Sequence, residues 1–223
     1  LCFLGWPRFL EQSGEGHYAQ ICVVAWIPFA FLGVECLREG QRGGVALTAT
    51  VLALCFVGGH VQELFYLVLL LTVYLTPDVA GFVHLRGGGT PSSQSARRVA
   101  TRLMGSWALV GLAAAGLTAV ELIPNWVYSR NSIRAAGLDV EAIRHGVLGL
   151  SSLLQLLDPF ALGGPLDYRG PGRYYCETLC CLGIPALVFG LAGLGGAIRR
   201  RPMGRFAVLG LVGLIFAFGD QTP

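Results

Sequence analysis

Long apolar runs, each close to the length needed to cross a bilayer, constrain this chain more than any other feature. Hydrophobic residues make up 54% of the sequence and charged residues 13%, whereas soluble domains carry about 25% charged residues. A membrane helix needs roughly 17–25 residues. Six segments meet or approach that length, at about 19–37, 43–59, 61–77, 103–123, 175–197 and 206–219. The sequence predicts an all-α, polytopic bundle of transmembrane helices, forming a single domain over residues 1–223.

Arginine clusters set the expected orientation of these helices. Short loops rich in basic residues remain in the cytoplasm, and the clusters follow the first span, separate the third from the fourth, and separate the last two spans (Arg38, Arg42; Arg86, Arg97, Arg98, Arg102; Arg199, Arg200, Arg201, Arg205). All six spans then alternate without conflict. We expect a multi-pass membrane protein, with residues 78–102 as a flexible cytoplasmic linker.

The chain starts at Leu1, with no charged segment leading into an apolar run, which argues against a signal peptide. We expect a fragment of a longer protein, internal or truncated at its N-terminus.

Two regions on the outer side shape the expected site. The Gly58-Gly59-His60 sequence breaks an apolar stretch of about 35 residues, which is too long for one span, and places His60 in an outer turn. Residues 124–174 form a long extracytoplasmic loop, where substrate contacts are expected. Within it, apolar residues from Asp139 to Leu157 predict an amphipathic helix lying at the membrane interface.

The predicted topology gathers ionisable side chains on the outer side, at or near helix ends, and such groups are expensive at membrane depth. They are His17, His60, Glu63, Glu121 and Asp220. His60 and Glu63 would share the first turn of the third span, as an acid/base patch or with His60 as a structural cap. Glu121 has two interpretations, a general acid or base at the membrane edge, or an interfacial acid paired with Arg130 or Arg134.

Arg130 and Arg134 are four residues apart and would share a face if the segment after Trp126 is helical. Two guanidinium groups suit a phosphate or pyrophosphate headgroup. The alternative is ordinary contact with bulk lipid phosphate, which offers the same chemistry.

Other ligands are not indicated. Most of the seven cysteines lie in apolar stretches, where a thiol behaves as a small hydrophobe, so we expect no disulfide framework. No metal site is predicted; a divalent metal is possible, but no spacing of ligands demands one. Basic residues beside apolar runs set topology, so we expect membrane lipids and no nucleic acid as partners.

The order of short motifs resembles that of the bacterial YfhO-type membrane protein family, which is placed among the GT-C-type integral membrane glycosyltransferases. The matching motifs are Gly16-His17, Ala25-Trp26-Ile27-Pro28, Gly59-His60-Val61-Gln62, Phe65-Tyr66, Glu121-Leu122-Ile123-Pro124, Ser132-Ile133-Arg134, Leu157-Asp158-Pro159, Tyr168-Arg169-Gly170, Glu177, Gly183-Ile184-Pro185 and Phe218-Gly219-Asp220-Gln221-Thr222-Pro223. The chain departs from the family at Val61, where Pro is usual, and at Cys181, where Tyr is frequent.

The resemblance implies a GT-C-like fold in the bacterial cytoplasmic (inner) membrane. It also implies transfer of a sugar from a polyprenyl-phosphate-linked donor to a cell-envelope glycopolymer at the outer face. It implies that the main carboxylate base lies in an early outer loop, outside this fragment. It casts Glu121, His60 and Glu63 as auxiliary catalytic acid/base groups or as polar groups that line the site. Substrate contacts would come from the motif residues Arg134, His17, Ser132, Asp158 and Tyr168, together with Arg130, which is four residues from Arg134.

Two other classes stay open. A transporter or flippase of a lipid-linked or anionic substrate would use the same outer groups, but transporters tend to have broken helices and polar sites near the midplane. Because the polar groups here are expected at one surface, the sequence favours the enzyme. A non-catalytic accessory membrane subunit is the third class.

Overall fold

The computed structural model describes residues 12–84, 92–132, 135, 137, 148–171, 175–179, 181, 184–197 and 201–218. Within these ranges the chain is all-helical, with a single isolated bridge between Ala161 and Gly163 and no strand. The helices are α1 (Tyr18–Glu39), α2 (Gly44–Val57), α3 (Val61–His84), α4 (Ser92–Leu117), α5 (Ala119–Arg130), α6 (Tyr175–Thr178), α7 (Ile184–Ala197) and α8 (Arg201–Phe218), with a 3₁₀ helix over Leu150–Leu156. The all-α class is confirmed.

Three of the described helices are long and apolar enough to cross a membrane. They are α1, the Val61–Asp78 part of α3 and the Arg97–Leu117 part of α4. The apolar helices Gly44–Val57, Ile184–Gly193 and Gly204–Phe218 are shorter. At 1.5 Å per residue the 14 residues of α2 extend about 21 Å, less than the roughly 30 Å of a hydrocarbon core. The structure thus supports a membrane protein and leaves six spans as a prediction.

The chain divides into two compact units, residues 19–132 and residues 1–18 with 133–223. In the first unit, the side chains of Gln20 and His60 meet at one end, which we call the His60 end. At the opposite end, the Arg38 end, Arg38 binds Asp78, and the Arg102 guanidinium donates to the Arg38 carbonyl oxygen. Helices α1, α2 and α3 therefore alternate in direction, as the sequence predicts.

The fourth helix completes this antiparallel arrangement. α4 packs against both α2 and α3 and has Arg102 at the Arg38 end. Its last residue, Leu117, lies 15 residues, or about 22 Å, farther along the helix. α4 therefore ends, and α5 begins, toward the His60 end. The interior of the unit is apolar, with fully buried side chains from all four helices that include Val34, Cys55, Leu71, Leu103 and Val110.

The predicted break at Gly58-Gly59-His60 is confirmed. α2 ends at Val57, and the amides of Gly58 and Gly59 donate to the carbonyl oxygens of Leu54 and Phe56. Gly59 has φ +88°, which glycine adopts without the steric cost that a Cβ would add. The chain reverses within three residues, and α3 begins at Val61.

The predicted fourth span, 103–123, is interrupted. α4 ends at Leu117, and α5 starts at Ala119 after the single non-helical residue Thr118. The Thr118 hydroxyl donates to the carbonyl oxygen of Ala114 at 2.9 Å, a bond that commonly bends helices. Pro124, expected to close the span, instead lies inside α5.

Residues 78–102, predicted as a linker, are largely helical. α3 continues to His84 and α4 begins at Ser92, so that only residues 85–91 separate the two helices and lie outside the described residues. Alanine and arginine, which recur at 96–102, are good helix formers, and this local preference extends α4 into the predicted linker.

The second unit contains the described part of the predicted outer loop together with α6, α7 and α8. The predicted amphipathic helix 139–157 is a 3₁₀ helix over Leu150–Leu156, and residues 138–147 lie outside the described residues. The predicted span 175–197 consists of the single turn α6 and the separate helix α7. Tyr175, Leu179 and Cys181 form a small core with Tyr168 packed against it.

Candidate functional site

His60 lies immediately before the N-terminus of α3, and both nitrogens of its ring make hydrogen bonds. Nδ1 accepts the backbone N–H of Glu63 at 3.4 Å, and Nε2 lies 3.2 Å from the side-chain amide of Gln20. Because Nδ1 accepts a hydrogen bond, a neutral His60 ring carries its proton on Nε2 and donates from there. The oxygen and nitrogen of a glutamine amide are assigned from the hydrogen bonds they make, and this tautomer requires the Gln20 orientation in which the amide oxygen faces Nε2. The capping interpretation of His60 is confirmed, and its acid/base role stays a prediction.

The carboxylates of Glu63 and Glu121 occupy equivalent positions. Each lies in the first turn of its helix, α3 and α5 respectively, and each is half-buried. The partial positive charge of a helix N-terminus favours an anion there. The course of α4 brings the start of α5 toward the His60 end, so the sequence correctly places both carboxylates on the same side of the unit as His60.

Helix geometry excludes Arg130 as the partner of Glu121, whereas the alternative partner Arg134 lies outside the described residues. Glu121 and Arg130 are nine positions apart in α5, which is about 14 Å along the axis and half a turn in rotation. The guanidinium of Arg130 instead lies over the ring of Trp126, 5.8 Å from its centroid. Such a cation–π contact beside an exposed tryptophan is typical of the membrane interface.

The predicted two-arginine face is also not formed by a continuous helix. α5 ends at Arg130, with Asn131 as its C-cap, and Arg134 lies outside the described residues. Ser132 is half-buried, and its hydroxyl donates to the carbonyl oxygen of Ser129 at 2.9 Å. The Ser132 hydroxyl thus binds a carbonyl oxygen of the last turn of α5, and a contact with substrate stays a prediction.

The remaining predicted site residues belong to the second unit, and those that are described make local hydrogen bonds. His17 Nδ1 lies 2.6 Å from Oε1 of Gln12. Asp158 Oδ1 accepts the backbone N–H of Phe160 at 2.9 Å. The Tyr168 hydroxyl donates to the Pro171 carbonyl oxygen and accepts from Thr178. His17, Asp158 and Tyr168 are therefore held by local contacts, and their contacts with substrate stay predictions. Asp220 lies outside the described residues.

A second polar cluster, at the Arg38 end, was missed by the sequence analysis. Arg38 donates from Nη1 to both carboxylate oxygens of Glu35, at 2.6 and 2.8 Å, and from Nε to Asp78 at 2.8 Å. The Tyr74 hydroxyl also donates to Glu35, and the Arg38 guanidinium lies 5.7 Å from the Tyr74 ring centroid. In the sequence, Arg38 served only to indicate topology. The signal for this cluster was the presence of two carboxylates, Glu35 and Asp78, at the ends of apolar runs.

Polar side chains therefore gather at both ends of the first unit, and not at one surface alone. Among the described residues, no group of three or more His, Cys, Asp or Glu side chains is arranged to hold a metal ion. Described cysteines at positions 22, 36, 55 and 181 are free thiols. The chemistry that the His60 end offers is that of one imidazole and two carboxylates beside apolar helices.

Comparison with known proteins gives no relative: no protein-family model, no curated protein and no solved structure matches this chain. The resemblance to the YfhO-type family rests on the short motifs alone and stays a prediction. What is shown is an all-α protein with three helices long and apolar enough to span a membrane.

Proposed function

We propose that this chain is the membrane-embedded part of a GT-C-like glycosyltransferase of the bacterial cytoplasmic membrane, in which six spans cross the bilayer. The enzyme transfers a sugar from a polyprenyl-phosphate-linked donor to a cell-envelope glycopolymer at the outer face. The observation that carries the proposal is the placement of His60, Glu63 and the first turn of α5 at one end of the first unit. This end corresponds to the outer side in the topology set by the arginine loops.

The roles of the residues follow from their positions. Both ring nitrogens of His60 are hydrogen-bonded, so a substrate hydroxyl would reach the ring only by replacing the Gln20 amide at Nε2. Glu63 and Glu121 supply auxiliary acid or base groups, which typically contribute 10²–10⁴-fold to a rate. The extracytoplasmic loop 124–174, with its interfacial segment, would contact the acceptor. The principal base is not among these residues.

Helix geometry limits the role of Arg130. A sugar–phosphate junction is a few bond lengths across, whereas Glu121 and Arg130 are separated by about 14 Å on opposite sides of α5. One donor molecule therefore cannot meet both side chains at its reacting bond. We assign Arg130 to lipid headgroups at the interface and leave Arg134 as the candidate for the donor phosphate.

The test is replacement of Glu121 by Gln in the complete protein, expressed in cells that lack the native copy. Glu121→Gln removes the titratable group and keeps the shape of the side chain. We expect at least a tenfold loss of sugar on the envelope polymer, with unchanged membrane insertion. Glu39→Gln is the matched control, because exposed Glu39 lies at the Arg38 end. Full modification in Glu121→Gln cells would remove this carboxylate from the site.

A transporter or flippase is the second candidate, and two observations favour it. Helix α4 is interrupted at Thr118 before α5 begins, and charged side chains also gather at the Arg38 end. Discontinuous helices and paired intramembrane charges are features of transporters. Protein reconstituted in vesicles should move a fluorescent polyprenyl phosphate between leaflets if this candidate is correct. An enzyme without transport activity should leave the label in its original leaflet.

A further inference from the structure

The outer segment 150–166 has its polarity reversed relative to a protein surface that faces water. A 3₁₀ helix repeats every three residues, so Ser152 and Gln155 share one face and Leu154 and Leu157 share another. Ser152 and Gln155 are 0% exposed, while Leu154 and Leu157 are 54% and 60% exposed. Serine and glutamine are mostly found at protein surfaces and leucine in the interior. The environment that this face meets is therefore apolar.

The exposed apolar surface continues past the 3₁₀ helix, where packing against Tyr175 supports it. Phe160 and Leu166 are also exposed. One face of the Phe160 ring stacks on Tyr175, with the planes 4° apart and the centroids 6.3 Å apart. Tyr175 is in turn fixed by a hydrogen bond from its hydroxyl to the carbonyl oxygen of Pro159. Packing of one ring face against Tyr175 therefore fixes Phe160 in an exposed position.

The backbone of this irregular segment satisfies many of its own polar groups. Backbone N–H groups along it donate to oxygens within the segment and its immediate flanks; the donors are those of Ser152, Leu157, Asp158, Phe160, Ala161, Gly163, Gly164, Asp167 and Arg169. Gly163 makes this folding-back possible, because its φ is +90° and a Cβ there would lie 2.5 Å from the Asp167 carbonyl oxygen. Non-helical backbone survives against lipid only if its polar groups are satisfied.

The segment also starts beside the end of the apolar helix α8. The backbone N–H of Leu148 donates to the carbonyl oxygen of Ala217 at 2.9 Å, in the last turn of α8. The neighbouring Ile215 and Phe216 of that apolar helix are exposed, as expected for residues that face lipid. The exposed leucines of the 3₁₀ helix follow Leu148 by only a few residues, so they lie near the same depth.

We propose that segment 150–166 inserts into the acyl chains at the edge of the leaflet that holds the end of α8. Leu154, Leu157, Phe160 and Leu166 are the inserted side chains. Exposed charged residues at its C-terminal flank, Asp167 and Arg169, lie at the headgroups. The partner is lipid, because reversed polarity, an internally bonded backbone and attachment to an apolar helix all match a low-dielectric, non-specific surface. The insertion does not depend on the enzymatic proposal.

Photolabelling of the unmodified protein tests the insertion. The protein is reconstituted in vesicles of phosphatidylethanolamine and phosphatidylglycerol that contain a phospholipid with a diazirine in the middle of one acyl chain. After illumination, peptide mass spectrometry locates the adducts. We expect adducts within 150–166 at a yield comparable to that at Phe216, the positive control. Residues 13–16, an exposed polar turn, are the negative control. Adducts at Phe216 with none in 150–166 would overturn the proposal.

Hydroxyl-radical footprinting on the same vesicles distinguishes insertion into lipid from exposure to water and from coverage by a protein surface. If the segment inserts into lipid, the oxidation rates of Leu154 and Leu166 should be at least fivefold lower than in the detergent-free, denatured chain. The same residues should also lie in the segment that carries lipid adducts. Rapid oxidation without adducts would show a surface exposed to water, and protection without adducts would show a protein surface covering the segment. Either result contradicts insertion. Leu154→Asn should also lower the adduct yield at neighbouring residues, whereas Ser151→Asn, on an exposed polar position next to it, should not.

Discussion

Replacing Arg38 by alanine should destabilise the first unit more than any other single change of a charged residue there. The guanidinium joins α1 to α3, since it binds Glu35 and Asp78 simultaneously. The Arg38 carbonyl oxygen also accepts from Arg102 of α4 at 2.8 Å. The alanine variant would leave two carboxylates facing each other across the helix ends without their cation, and it would remove the arginine stem from the Tyr74 ring.

The exposure of the side chains sets the size of the effect. Those of Arg38, Asp78 and Glu35 are 25%, 20% and 37% exposed. A fully exposed ion pair contributes about 0–1 kcal/mol, and removal of one partner of a fully buried pair costs about 3–5 kcal/mol. The partial burial here lies between the two cases, so we expect a loss of about 2–3 kcal/mol. Arg38→Lys keeps the charge but loses the bidentate geometry, and its loss should be about half as large.

The assay is unfolding of the purified protein in mixed micelles of increasing dodecyl sulfate content, followed by circular dichroism. Arg42→Ala is the matched control, because Arg42 is exposed in the loop that follows α1, and such changes usually stay within about 0.5 kcal/mol. Equal midpoints for Arg38→Ala and Arg42→Ala would refute the idea that the Arg38 cluster holds these helices together.

Three further changes test the packing of the first unit. Gly33→Leu should lower stability by about 1–3 kcal/mol in the same assay, because a Cβ at Gly33 would meet the side chain of Thr48 and lie 3.1 Å from its Cα; an unaffected midpoint would mean that α1 and α2 are not in close contact. Gly40→Ala should cost about 1 kcal/mol, since Gly40 has φ +75° and its Cβ would collide with the Arg102 guanidinium. Thr118→Ala should slow amide exchange at Glu121, because α4 can then continue into α5; unchanged exchange would show that the hydroxyl does not cause the break.

The sequence predicted those parts of the fold that depend on local chemistry. Two consecutive glycines ahead of His60 mark a reversal that only a positive φ permits, and the arginine loops gave the alternating direction of α1 to α4. The interruption at Thr118 could not be predicted, because threonine inside an apolar run is equally common in continuous helices. A hydroxyl bends a helix only when it bonds the preceding turn.

In the candidate site, too, some residue positions could be predicted from the sequence and others could not. The position of Glu63 in the first turn of a helix followed from the predicted start of the third span. Glu121 was expected near the end of the fourth span, and it lies in the first turn of α5 because that span is interrupted at Thr118.

The Arg38 cluster could not be predicted, because its contact with Asp78 joins residues 40 positions apart and depends on the rotation of two packed helices. Of the two arginines suggested as partners of an interfacial Glu121, Arg130 does not fit, because side chains pair along a helix at a spacing of three or four and the two residues are nine apart in α5. The Arg134 alternative stays a prediction.

The central claim is that the His60 end and the Arg38 end lie on opposite sides of the membrane, with the His60 end outside. Cysteines introduced one at a time at Gln62 and Gln41, both exposed, test it by labelling of intact cells with a membrane-impermeant maleimide, with the unsubstituted chain as background. Gln62→Cys should react in intact cells, and Gln41→Cys only after the membrane is opened. Labelling of Gln41→Cys from outside, with Gln62→Cys protected, would invert the topology and contradict an outward-facing site at His60, Glu63 and Glu121.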